Sequence, residues 1–148
     1  EWRFPIFSNP NYGIYLNNNL IYTDSIPLFA LFFKIFNFIL PDNFQYFSLW
    51  ILFSLYLQGL ISYLIIFKVT KSKKYSLIGS IFFIFSTIMI HRITQFPAHF
   101  GHWIILLFLY TELIDKNKKF IIKNLVILLS LLINFYFTLI LLMIFYIN

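Results

Sequence analysis

The chain has 148 residues, of which 61% are hydrophobic, 23% aromatic and 11% charged, with a mean hydropathy of +0.85. This composition excludes an ordinary soluble domain, whose exterior needs more charge, and defines a polytopic membrane protein. The net charge of +6 does not point to nucleic acid, because most lysines lie in two short runs between apolar stretches, and the lack of cysteine excludes disulfides and thiolate chemistry.

Residues 1–25 are the most polar stretch, with turn signals at Asn9-Pro10, Tyr12-Gly13 and Asn17-Asn18-Asn19. No charged n-region leads into an apolar signal segment, and Glu1 is not a start residue. The sequence is therefore expected to be a piece of a longer protein. Ile26–Leu40 follows, with Pro27 near its start and Pro41 just after its end. As a helix it would be roughly 22 Å long, short of the ~30 Å hydrocarbon core, so the expectation is an interfacial or re-entrant helix. Lys34 and Asn37, three apart, would share its polar edge. Residues 1–45 are thus read as an outer-face loop carrying one short helix.

Four spans are expected in residues 46–148, at about 46–67, 75–94, 98–114 and 120–147. Ser54, Gln58 and Ser62 are spaced by four, as are Ser130, Asn134 and Thr138. Each set would form a stripe on one helix face, turned toward other helices rather than lipid. The connectors set the topology. "KVTKSKK" holds Lys68, Lys71, Lys73 and Lys74, and "DKNKKFIIK" holds Lys116, Lys118, Lys119 and Lys123. Together they carry eight of the eleven basic residues, which places both in the cytoplasm by the positive-inside rule. By alternation, "LPDNFQ" (40–45) and "HRITQFPAHFGH" (91–102) lie outside, and with them residues 1–25 if the short helix does not cross.

That topology gathers almost everything titratable besides the lysine loops on the outer side: the three histidines, Arg92, Arg3, Asp24 and Asp42. Asp24, in "YTDSIP", has two compatible readings. It or Ser25 caps the helix that begins at Ile26, or it is a carboxylate at an apolar edge that accepts a proton or binds a divalent metal. His99 and His102 are expected on one face of a helix starting near Pro97, whose N-terminus favours anions. Arg92 adds a forked, permanent cation suited to phosphate. These residues could hold a lipid phosphate, or serve as interfacial anchors with Trp103. His91-x7-His99-x2-His102 is a poor zinc spacing, and no P-loop, GxSxG, HExxH or dinucleotide fingerprint occurs.

The segments "WRFP…NYG…YTDSIPL", "LP…FQYFSLW…LQG" and "HR…HFGHW" resemble a family of bacterial polytopic proteins with the character of GT-C class glycosyltransferases. The likeness spans roughly residues 2–114. It implies an all-α transmembrane bundle in the bacterial cytoplasmic membrane with its active face outside. The activity it implies is transfer of a sugar from a polyprenyl-phosphate donor to an acceptor. By that resemblance Asp24 is the general base or a ligand to a divalent metal (Mg or Mn), and Arg92, His99 and His102 hold the lipid phosphate. Many members of the class carry paired acids in this loop, whereas Asp24 stands between Thr23 and Ser25. Two alternatives remain open: a transporter or flippase for a lipid-linked or anionic substrate, and a non-catalytic membrane assembly protein.

Overall fold

A computed structural model describes residues 26–41, 44–113 and 116–147, and every element among them is a helix. Asp24 and Asp42 lie outside the described residues.

The first helix, α1 (Pro27–Ile35), is shorter than the expected 26–40 and passes into turns that end before Pro41. Its N-cap is Ile26, which makes no side-chain cap bond, with Pro27 in the first turn. This corrects the expectation that Asp24 or Ser25 occupies the cap position. Pro27 supplies a preset φ and lacks only an N–H that the first turn could not have used. Phe29 seats α1 on the next helix, against Trp50 (5.2 Å) and Phe53 (5.5 Å).

Helix α2 (Phe47–Thr70) has 24 residues, about 36 Å of rise. Among the described residues it alone is by itself long and apolar enough to cross a bilayer. Lys71 closes it in the left-handed region (φ 55°), and the chain reverses into α3 (Lys73–Ile84). The two pack as an antiparallel pair. Gly59 faces Ile84 and Gly79 faces Ile66, so a residue without a side chain on each helix lets the other approach. The expected span 75–94 is broken at Phe85-Ser86, where α4 (Thr87–Gln95) turns away from α3 by 42°; joined across that bend the pair is also long and apolar enough to cross.

The expected helix over 98–114 is likewise divided. A 3₁₀ turn covers Pro97–Phe100, Gly101 interrupts it, and α5 (Trp103–Thr111) follows. Gly101 is buried, and a methyl group there would meet Ile133, Trp50 and Phe137, so three elements converge on the break.

The largest departure is at the C-terminal end. The stretch expected as one span over 120–147 is two helices, α6 (Lys116–Ile133) and α7 (Phe135–Ile147), parted at Asn134. They fold back on each other. Phe120 at the start of α6 meets Phe145 at the end of α7 (6.2 Å), and Ser130 and Thr138 share a hydrogen bond of 2.8 Å. The Asn134 side chain accepts the Tyr136 N–H at 3.0 Å, which caps α7. The Ser130/Asn134/Thr138 set is therefore a hairpin and its tip, not a stripe on one helix.

The core is continuous from α1 to α7. Ile26, Trp50, Ile104, Phe108, Ile133, Phe137 and Leu141 are all buried in it.

Candidate functional site at the arginine–histidine end

Three of the four residues nominated from the sequence meet at one end of the bundle. Arg92 lies in the last turn of α4, His99 in the 3₁₀ turn, and His102 at the N-cap of α5. The Arg92 Nη1 and His99 Nδ1 atoms are 3.1 Å apart. Guanidinium can only donate, so Nδ1 is the acceptor and the His99 proton sits on Nε2. In that pairing His99 is the neutral tautomer protonated on Nε2.

The 3₁₀ turn is held by its neighbours. Pro97 restricts Phe96 to an extended backbone (φ −140°, ψ 77°), which stops α4 and starts the turn. The Trp50 indole N–H donates to the Pro97 carbonyl at 2.8 Å, fastening the turn to α2. The His99 N–H donates to the Phe96 carbonyl at 3.0 Å. His99 and His102 are three apart, yet they belong to two elements separated by Gly101, not to one helix face as expected.

The walls are aromatic. Arg92 lies over the Phe96 ring (5.5 Å), and His99 sits between Phe96 (5.7 Å) and Tyr136 (5.4 Å). His102 meets Phe137 edge to face at 5.4 Å. Phe96 follows Arg92 by four residues, a spacing that could have nominated it. Tyr136 and Phe137 come from the hairpin tip, and the one signal for them was an asparagine inside an apolar run.

Burial pushes the His102 pKa down, and the neighbouring Arg92 and His99 push it further in the same direction. Its Nδ1 is buried without a partner among the described residues. Of the three nominated groups, Arg92 is therefore the permanent positive charge, while the histidines contribute neutral hydrogen-bonding edges. Such a set suits an anion: one fixed cation with hydrogen-bonding groups beside it. His91 is exposed on α4, and no group of three His, Cys, Asp or Glu able to hold a metal occurs among the described residues.

The Ser54/Gln58/Ser62 stripe is buried, as its spacing predicts. Ser62 donates to the backbone carbonyls of Gln58 (2.7 Å) and Gly59 (3.0 Å). Ser54 Oγ, Gln58 Oε1 and, on α5, Trp103 Nε1 have no partner among the described residues.

At the other end of the bundle is a second polar cluster that the sequence reading missed. Glu112, just after α5, pairs with Lys119 and Lys123 of α6. The Lys123 side chain is 7% exposed and lies over the rings of Phe108 (5.2 Å) and Phe145 (5.6 Å). Lys123 is a buried ion, not the exposed loop charge expected of it.

Fold and site together define an all-helical protein with a polar cluster at each end of an apolar bundle. The chain belongs to the family described as "Domain of unknown function (DUF6311)", whose match covers residues 1–148. No curated protein and no solved structure matches it.

Proposed function

We propose that this chain is part of a polytopic membrane glycosyltransferase of GT-C type, taking a sugar from a polyprenyl-phosphate donor on the outer face of the bacterial cytoplasmic membrane. The observation that carries the reading is the hydrogen bond from Arg92 to His99, with His102 beside it, at one end of the bundle. Exposed apolar side chains along the helices support the membrane setting: Phe82 is 75% exposed and Tyr146 82%. In this reading α2 and the bent α3–α4 pair cross the bilayer, the α6–α7 hairpin packs beside them, α5 is too short to cross, and α1 lies along the surface.

The proposed chemistry is direct displacement at the anomeric carbon. The acceptor oxygen attacks, the bond from that carbon to the lipid-phosphate oxygen breaks, and the leaving group departs with the bonding electron pair. Arg92 offsets the charge that develops on that phosphate, and His99 and His102 donate hydrogen bonds to it. Asp24 takes the acceptor proton; in the alternative role it would be a ligand to a divalent metal (Mg or Mn), which would orient the acceptor. The partners are the bilayer and the polyprenyl-phosphate-linked sugar.

Two substitutions in the full-length protein test the reading. Asp24→Asn is expected to abolish glycan transfer while leaving the protein folded. Arg92→Gln is expected to lower transfer by about 10²-fold, as loss of a transition-state donor does. Wild-type transfer by Asp24→Asn would end the catalytic assignment. A cysteine at Thr23, in this cysteine-free chain, must react with a membrane-impermeant maleimide added outside; labelling from the cytoplasm alone would invert the topology.

The transporter alternative draws on Ser54, Gln58 and Trp103, whose buried polar atoms lack partners between α2 and α5. It predicts binding or translocation of the lipid-linked substrate that survives Asp24→Asn.

A further inference from the structure

The joint around Gly101 sets a common level for several helices. A methyl group there would meet Ile133 of α6, Trp50 of α2 and Phe137 of α7, and Trp103 of α5 lies beside Trp50, ring to ring at 6.4 Å. Below that level the helices run for different lengths. At the helical rise of about 1.5 Å per residue, α2 continues for about 30 Å from Trp50 to Thr70. The drop from Trp103 to Glu112, through α5, is at most about 14 Å, and that from Phe137 to Ile147 in α7 about 15 Å. On α6, Lys123 lies about 15 Å from Ile133. Tilt shortens these drops and cannot lengthen them.

The lower part of α2 is clad in lipid in the membrane setting. Its partner α3 turns Leu77, Ile78, Ile81 and Phe82 outward, and the lysines exposed at the far end are Lys68, Lys71, Lys73 and Lys74. Lys68 lies about 27 Å below Trp50, close to the ~30 Å of a hydrocarbon core. Glu112 and the Lys123 ammonium it pairs with therefore sit near half that depth, and Lys119 reaches them from the first turn of α6.

Charges at that depth are costly in hydrocarbon, and pairing removes only part of the cost. The cluster is not sealed. Lys123 is enclosed by Phe108 and Phe145, but the Glu112 side chain is 28% exposed and that of Lys119 32%. Lipid against those surfaces would leave ions half solvated by nothing, whereas water satisfies them. From this depth and exposure together we infer that a water-filled recess, open to the cytoplasm, rises beneath the end of α5 and stops at Glu112 and Lys119. About 14 Å of packed core, with Ile104 and Phe108 fully buried in it, then separates cytoplasmic water from the arginine–histidine end. The inference rests on the membrane setting of the proposed function and not on sugar transfer.

The chain has no cysteine, so single cysteines, the only ones in the full-length protein, read the recess through a membrane-impermeant maleimide in inside-out vesicles. Lys119→Cys probes its mouth and Leu113→Cys, beside Glu112, its upper end. Phe82→Cys and Leu60→Cys are the lipid-facing controls. Phe82 lies about 20 Å below Trp50, because Gly79 packs on Ile66, and Leu60 about 15 Å below it. Both recess probes are expected to react about tenfold faster than both controls, since a thiol in apolar surroundings ionises less. Lys119→Cys keeps the Glu112–Lys123 pair; should it fail to fold, Leu113→Cys decides. Recess probes as slow as the controls overturn the proposal, and so does labelling at Lys119→Cys without Leu113→Cys, which would end the water short of Glu112. Fast labelling of all four would remove the membrane setting, and the recess with it. Adding Arg92→Gln to Leu113→Cys separates the readings: it is expected to lose transfer and keep the labelling rate.

Discussion

The two ends of this bundle handle polar groups in opposite ways. At the lysine end, Glu112 and the two lysines answer one another, and the buried ammonium of Lys123 has a carboxylate and two aromatic faces around it. At the arginine–histidine end one permanent cation stands beside two histidines and no carboxylate among the described residues. Arg92 spends one N–H on His99, and the buried Nδ1 of His102 has no partner among the described residues. A closed set of charges holds helices together; a set with unused hydrogen-bonding capacity is built to meet something else. If the proposed function holds, the first end is architecture and the second carries chemistry, and substitutions at each end should separate stability from activity.

The largest effect is expected at the closed end. Glu112→Gln leaves Lys123 buried without a counter-charge, and should cost about 2–3 kcal/mol, somewhat below a fully buried pair because Glu112 is itself 28% exposed. Thermal unfolding in detergent measures it. Lys123→Met should cost less, since an apolar chain of similar length can still lie between Phe108 and Phe145 while Glu112 keeps Lys119. If both variants unfold together with wild type, the closed end is not a structural latch.

Next comes the joint beneath the open end. At Gly101 an added methyl group would lie 2.8 Å from Ile133, 3.1 Å from Trp50 and 3.3 Å from Phe137. Three different elements would have to move, so Gly101→Ala should lower stability by about 1–3 kcal/mol. Gly79→Ala is the control: its close neighbour is the end of one flexible side chain, Ile66, and the cost should be small.

These joints also show how much could be read in advance. The all-helical class followed from composition, and the short α1 from the prolines at 27 and 41. The buried Ser54/Gln58/Ser62 stripe followed from spacing by four, because a single helix turns that spacing into one face. The same rule misled at Ser130, Asn134 and Thr138. Two positions equally distant from a hairpin tip also face each other, and spacing alone does not distinguish the cases. Asn134 was the clue, since its side chain can cap a new helix where an apolar residue could not. Lys123 was misread for a different reason: its burial depends on Glu112 and on a ring from α7, a long-range arrangement that no local window contains. Asp24 lies outside the described residues; Ile26 holds the cap position that one of its readings gave it, and the carboxylate reading stands where the sequence left it.

The ends should also separate along the pH axis. Burial lowers the His102 pKa, so the unfolded chain binds that proton more readily than the folded one. Its contribution is complete above the ordinary histidine value of 6.5 and declines as pH falls below it. For Glu112, burial alone would raise the pKa, but the hydrogen bonds and charges of Lys119 and Lys123 outweigh it and hold the carboxyl below its ordinary value. Its contribution is complete above 4.5 and is lost as pH falls through the lower folded value. Stability measured from pH 8 downward should therefore fall in two stages, the first absent in His102→Gln and the second absent in Glu112→Gln. A single stage untouched by His102→Gln would mean that His102 is not held neutral by its surroundings.

The smallest effect is expected inside the hairpin that carries Tyr136 and Phe137 to the open end. Thr138→Val keeps the shape of the side chain and removes its hydroxyl, breaking the 2.8 Å bond to Ser130. Ser130 also lies 2.6 Å from the Ile127 carbonyl, so it retains a partner, and the loss should be about 0.6 kcal/mol, typical of one hydrogen bond between helices in a membrane. Because the hairpin tip is held separately by Asn134 and by the packing of Phe137 on His102, glycan transfer should be unaffected. Asn134→Leu makes the opposite prediction. It removes the cap at the tip, releases Tyr136 from beside His99, and should reduce transfer more than it reduces stability. Equal losses from Thr138→Val and Asn134→Leu would mean that the hairpin serves the fold as a whole and not the open end in particular.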